Sequence, residues 1–163
     1  MNHISNVPIT GVLVANRGEI ASRVFRTARS MGLRCVAVYV DADAAAPYVV
    51  EADVAVRLDD GGYLDSEALV AAAKTTGADA VHPGYGFLAE NAEFATVCRD
   101  CEIAFIGPSP EAMALLGDKV SCKRMARKAG TPVFPGTEGE IDDPEEARQV
   151  AGDVGYPVIV KAA

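Results

Sequence analysis

Residues 11–31 read GVLVANRGEIASRVFRTARSM, and the change of rhythm inside this stretch decides the fold. Gly11–Ala15 is a short apolar run without polar alternation, which reads as a strand buried on both faces. From Gly18 to Met31 the period becomes helical. Ile20, Val24, Ala28 and Met31 share one face, Arg23, Arg26 and Arg29 lie elsewhere, and Gly32 stops the helix. A buried strand feeding directly into an amphipathic helix is half of a strand–helix–strand unit, and the rhythm recurs downstream. Cys35–Val40, Val54–Leu58, Ala78–His82 and Ile103–Ile106 read as further strands. Helices are expected over Asp65–Thr76, capped by Asp65 or Ser66, from Glu90 or Asn91 to Cys101, and over Pro110–Leu116 and Asp118–Ala129, broken at Gly117. Asp41–Pro47 reads as an acidic, alanine-rich loop and Asp59–Gly62 as a turn. The pattern predicts an α/β fold, a Rossmann-like parallel sheet with helices on both faces.

The composition changes after Gly130. Thr131–Gly139 (TPVFPGTEG) reads as a linker, Asp143–Val154 as an acidic helix with Pro144 in its first turn, and Pro157–Val160 as a strand. A domain rarely stops on a bare apolar strand beside a lysine. We therefore expect residues 1–130 to form a complete domain and 131–163 a linker plus the truncated start of a second. The edge of the Pro157–Val160 strand is expected to lack its partner.

Composition narrows the classes of function. The chain of 163 residues is half apolar and carries a formal charge of -8, which disfavours nucleic acid and anionic membranes as partners. No apolar run approaches the roughly 18–20 residues of a membrane span, and MNHISNVPITG has no secretory pattern. The chain reads as cytoplasmic, an organelle matrix fitting equally well. Cys35, Cys98, Cys101 and Cys122 provide a single C-x-x-C without a second ligand pair, so they read as reduced thiols rather than a metal site.

Three places carry chemistry. Asn16-Arg17-Gly18-Glu19 is the first strand–helix turn. It has one glycine, not the three of a dinucleotide fingerprint, so it argues against NAD. It reads as a tight turn in which Asn16 satisfies loop backbone and Glu19 suits the first helical turn. His82-Pro83-Gly84-Tyr85-Gly86-Phe87 follows the fourth strand. Its glycines allow unusual backbone angles and close approach of a ligand, and His82 and Tyr85 could position a substrate. A purely structural loop, with His82 bonded to backbone, fits these residues equally well. Lys119 at the helix break and Lys161 at the end of the last strand could each meet an anion or lie in solvent. The arginines at 23, 26 and 29 read as a solvated face or a subunit contact.

The stretches ANRGEIASRVFRTAR, AVYVDADAAAPYVVEADVAV, GADAVHPGYGFLAENAEFA, FIGPSPEAMALLGDKVSCK and GYPVIVKAA, in this order over residues 11–163, resemble the amino-terminal part of the biotin carboxylase component of acyl-CoA, pyruvate and urea carboxylases. The resemblance implies a Rossmann-like pre-ATP-grasp domain followed by the start of an ATP-grasp lid domain. It also implies carboxylation of protein-bound biotin by bicarbonate and ATP. It places Lys119 and Lys161 at ATP, and His82, Tyr85 and Gly86 on the loop facing biotin and bicarbonate. The implied cofactors are ATP, Mg2+ or Mn2+, and biotin. The implied partners are a biotin carboxyl carrier domain, a carboxyltransferase component and a further copy in a homo-oligomer. The family's glycine-rich lid loop, metal-binding glutamates and bicarbonate-contacting arginine fall beyond Ala163, so no metal ligand is assigned and this chain alone is expected to be inactive. Tyr48 stands where many relatives carry histidine. Two rival readings are a non-catalytic nucleotide- or protein-binding module and another ATP-grasp ligase such as carbamoyl-phosphate synthetase.

Overall fold

The computed structural model describes residues 8–117, 119–137, 139 and 141–160. The chain forms two compact units, Met1–Met113 and Ala114–Ala163. The first contains a five-stranded, all-parallel sheet: β1 Gly11–Val14, β2 Arg34–Tyr39, β3 Val54–Arg57, β4 Ala80–His82 and β5 Ala104–Phe105, in the order β3-β2-β1-β4-β5. The helices are α1 Gly18–Ser30, α2 Pro47–Glu51, α3 Ser66–Thr76 and α4 Ala92–Asp100, with α5 Pro110–Gly117 running across the boundary.

Alternation along the strands explains why both faces need helices. In β1 all four residues are buried. Leu13 joins Val36, Val38 and Val81 against Leu69 of α3 and Phe94 of α4. Val12 and Val14 join Cys35, Ala37 and Ala80 against Phe25 of α1 and Tyr48 of α2. Successive side chains of a strand point to opposite faces, so a strand without polar positions can be satisfied only between two layers. The central register, Val12 opposite Cys35 on one side and Ala80 on the other, keeps both apolar sets in step.

The sheet and the helices on both faces are as the sequence predicts, and Asp65 and Asn91 cap α3 and α4 by accepting from the amides of Ala68 and Phe94 at 2.9 and 2.8 Å. Three local expectations need correction. The buried stripe of α1 is Ala21, Phe25 and Ala28, while Ile20 and Val24 are only partly buried and Met31 is 67% exposed. Met31 lies past the last turn, and the small alanines let the helix approach the sheet around Phe25. The loop expected over Asp41–Pro47 contains a 3-10 turn at Asp41–Asp43, and its Pro47 opens α2, since a proline at a first helical position sacrifices no hydrogen bond. Pro157–Val160 forms no strand, and Ile159 and Val160 are 83% and 89% exposed. A strand exists only through a partner's hydrogen bonds, and no described residue supplies one.

The second unit holds α6 Lys119–Lys128 and α7 Pro144–Val154, the latter capped by Asp143, which accepts from the amide of Glu145 at 3.0 Å.

Sheet order fixes where a ligand can sit. The chain builds outward from β1 through β2 to β3, then crosses back to lay β4 on the other side of β1. The connections diverge between β1 and β4, which opens a crevice at their carboxyl ends.

Candidate functional site

The residues leaving β1 and β4 meet at that crevice. The ladder continues one step beyond the strands, with the amide of Ala15 donating to the carbonyl of His82 at 2.9 Å. Asn16 then turns inward and is fully buried. Its Nδ2 donates to the carbonyls of Pro83 at 2.8 Å and Tyr85 at 2.9 Å, and its Oδ1 accepts from the amide of Arg17 at 2.9 Å. A carboxamide has two donor hydrogens and one acceptor oxygen to satisfy, and all three are engaged. Asn16 therefore clamps the loop after β4 onto the end of β1.

The clamp needs Gly84. Its φ is +66°, and a Cβ there would lie 2.6 Å from Ile20 Cγ2 and 2.8 Å from Asn16 Nδ2. Gly86 also has positive φ, +68°, but faces open space. The loop thus packs its first glycine against α1 and presents its second outward beside Tyr85, whose side chain is 67% exposed. A shallow cleft of about 260 Å³ lies between this turn, Tyr85–Phe87, and Asn16, Arg17, Glu19 and Ile20.

His82 is half-buried, and its Nδ1 accepts from the amide of Gly84 at 3.0 Å. Burial pushes its pKa below the ordinary histidine value. Accepting at Nδ1 requires the neutral ring with its proton on Nε2, so protonating Nδ1 breaks the link to Gly84. Between the lowered folded pKa and the unfolded value of about 6.5, the unfolded chain binds more protons. Stability therefore falls as pH drops through that window and levels off below it. We expect the His82 ring-proton NMR signal to titrate with a midpoint below about 6.5; a midpoint at or above that value contradicts the assigned bond.

Arg17 borders the cleft. Its guanidinium makes a two-point contact with the buried carboxylate of Asp43, Nε to Oδ2 at 2.6 Å and Nη2 to Oδ1. The Arg17 bonds hold the Asp43 carboxyl below its usual range. Tyr63 donates its hydroxyl proton to the same carboxylate and accepts from the amide of Val40 at 3.4 Å. The hydroxyls of Tyr63 and Tyr48 are 2.9 Å apart, and Tyr48 reaches the carbonyl of Val38 at 3.2 Å. Burial raises the pKa of both phenols. The ring of Tyr63 stacks on Phe87, with centroids 5.4 Å apart and planes at 24°.

The structure brings His82, Tyr85 and Gly86 together on one loop at the carboxyl edge. Lys119 opens α6, but its side chain lies outside the described residues, as does Lys161 altogether. Among the described residues no group of three or more His, Cys, Asp or Glu could hold a metal ion. All four cysteines are free, and burial pushes the Cys98 thiol up to about 12. The arginines of α1 line its outer face, Arg23 bonding Thr27 at 2.8 Å and Arg29 lying 6.0 Å above the Phe25 ring. Among the described residues no helix is long and apolar enough to cross a membrane.

Sequence reasoning missed Asp43 and Tyr63. Nothing in the local pattern of either marks it, because their partners lie 20 and 26 positions apart in the chain.

Residues 8–113 match the family model described as biotin carboxylase, N-terminal domain, and residues 118–163 match that of the carbamoyl-phosphate synthase L chain, ATP binding domain. The chain is 48% identical to the biotin carboxylase of Nostoc sp. over 93% of its own length and 35% of that protein's. It is 46% identical to biotin carboxylase 1 of Bacillus subtilis, covering 94% and 35%, and 51% identical to the mitochondrial methylcrotonoyl-CoA carboxylase subunit alpha of Oryza sativa, covering 92% and 21%. The chain thus spans about a third, or less, of these relatives' length. Among solved structures, the biotin carboxylase domain of a single-chain bacterial carboxylase superposes with a TM-score of 0.84 at 42% identity, covering 93% of this chain and 36% of that one. The Hydrogenobacter thermophilus 2-oxoglutarate carboxylase biotin carboxylase domain, described as a dimer in complex with MgADP, ADP and bicarbonate, gives 0.83 at 43%, covering 93% and 34%.

Proposed function

The chain belongs to the biotin carboxylase family, and from that premise we propose that its first unit supplies the wall against which biotin and bicarbonate are held during the ATP-dependent carboxylation of protein-bound biotin. The observation that carries the reading is the clamp of Asn16 on the Pro83–Tyr85 backbone at the divergence of β1 and β4.

Each residue of the wall has a physical task. Gly84 lets the loop approach α1 closely enough for Asn16 to reach two carbonyls. Gly86, without a side chain, leaves backbone accessible, and the exposed Tyr85 ring offers a flat face with a polar tip to a small heterocycle such as the biotin ureido ring. Neutral His82 holds the first turn of the loop by accepting from the amide of Gly84. Held from several sides, the loop meets its substrate already ordered, and preorganisation is where positioning catalysis draws its energy.

ATP supplies the phosphoryl group that activates bicarbonate. We assign Lys119 and Lys161 to ATP, at its phosphates or on its adenine side; at a phosphate, a fixed ammonium stabilises the negative charge that a transferring phosphoryl group spreads. Among the described residues no group of three or more His, Cys, Asp or Glu offers a site for Mg2+ or Mn2+. A biotin carboxyl carrier domain, a carboxyltransferase component and a second copy in a homo-oligomer are the proposed partners.

A graft tests the proposal. Residues 8–160 replace the corresponding segment of the Bacillus subtilis biotin carboxylase, and bicarbonate-dependent ATP hydrolysis is measured with free biotin. Turnover within about an order of magnitude of the parent is expected, and none from the 163-residue chain alone. A folded graft without bicarbonate-dependent turnover overturns the reading.

A further inference from the structure

We infer that Asp43 and Tyr63 are positioning residues that anchor both sides of the cleft to one buried carboxylate. The inference rests on the reading of residues 82–87 as the substrate-side loop, but the anchoring itself is testable without any ligand.

The loop carries its own strain. Gly84 and Gly86 take positive φ freely, but Phe87, with φ of +43°, does not. A bulky residue stays in that region only where its surroundings over-determine it. The grip of Asn16 ends at the carbonyl of Tyr85. The ring of Phe87 is met instead by Tyr63, stacked at 5.4 Å. Tyr63 is itself buried, with its hydroxyl fixed by Asp43 and paired with that of Tyr48.

Asp43 is shared. One carboxylate holds Arg17, the residue following Asn16 at the end of β1, and through Tyr63 it holds Phe87, where the loop leaves the cleft. Tyr85 and Gly86 are suspended between these points. The same contacts explain how tyrosine is accommodated at position 48. Its hydroxyl can donate either to Tyr63, whose single proton goes to Asp43, or to the Val38 carbonyl, so among the described residues no buried side-chain oxygen or nitrogen is left without a partner.

The test is amide hydrogen exchange in the 163-residue chain. The amide of Gly84 bonds to His82, and that of Ala89 bonds to the carbonyl of Gly86 at 2.9 Å, so both report the loop. Removing the stack with Tyr63→Leu is expected to speed exchange at these two amides about tenfold, a size set by the energy of one aromatic pair, while Leu13 and Val14 of β1 keep their protection. Tyr63→Phe keeps the ring but cuts the bond to Asp43, so it is expected to leave a smaller rise at the same two amides; full recovery of protection overturns the part of the anchor assigned to the carboxylate. Phe87→Leu, at a residue 45% exposed, removes the same stack without opening the core and carries the test if Tyr63→Leu does not fold. Unchanged loop exchange in Phe87→Leu, or an equal rise throughout β1, overturns the anchor. In the graft, Tyr63→Phe and Tyr63→Leu are compared for biotin KM against ATP KM. A rise of about tenfold for biotin only in Tyr63→Leu, with a smaller rise in Tyr63→Phe, supports positioning for substrate. A loosened loop with unchanged biotin KM rejects that role and leaves the assignment of the family untouched.

Discussion

Replacing Gly84 with alanine is expected to destabilise the first unit by about 2–5 kcal/mol, the sum of a left-handed backbone penalty of about 1–2 kcal/mol and an overpacking cost of about 1–3 kcal/mol. The new methyl would stand 2.6 Å from Ile20 Cγ2 and 2.8 Å from Asn16 Nδ2. The end of the Ile20 side chain can rotate away. Asn16 cannot follow without giving up bonds to Pro83 and Tyr85, and a buried carbonyl left unpaired costs about 1–3 kcal/mol. Gly86→Ala is the matched control. Its φ is nearly the same, but nothing lies within 4 Å of the added atom, so only the backbone penalty of about 1–2 kcal/mol applies. For a unit of this size the Gly84 substitution should lower Tm by roughly 10–20 °C, and the Gly86 substitution by clearly less. Equal losses in thermal melts of the two variants would mean that the close approach to Asn16 is not what the glycine is for.

The contrast shows what was legible in the sequence. GVLVA, CVAVYV and the helical period after Gly18 specify a two-sided parallel sheet, because a strand with no polar positions has only one kind of environment open to it. The turn at Asn16 and the glycines of HPGYGF are legible for a similar reason: each residue type there has few physical uses. The orientation of α1 was less legible. Its stripe is built from Ala21, Phe25 and Ala28, and alanine carries too little apolar weight to outvote Ile20, Val24 and Met31 in a periodicity. The Pro157–Val160 run is rich in strand-forming residues, yet propensity does not make a strand without a neighbouring ladder. Asp43 and Tyr63 were illegible in principle. Their importance lies in contacts with Arg17 and Phe87, and those contacts exist only once the sheet order has carried the loops after β2, β3 and β4 to one edge.

The second large effect concerns substrate, not stability. The side chain of Tyr85 is exposed, and Asn16 holds its carbonyl rather than its ring. Tyr85→Ala therefore leaves the clamp intact and should hardly move Tm. It removes the more exposed of the two aromatic rings that flank Gly86. An aromatic anchor against a small ligand is worth enough for roughly a 10- to 30-fold rise in biotin KM.

That substitution, made in the graft, tests the central claim that the carboxyl edge between β1 and β4 faces biotin. Steady-state kinetics with biotin and ATP varied in turn should show biotin KM raised by about tenfold or more, with ATP KM and Tm unchanged. A Tyr85→Ala graft whose biotin KM equals that of the unsubstituted graft would contradict the claim.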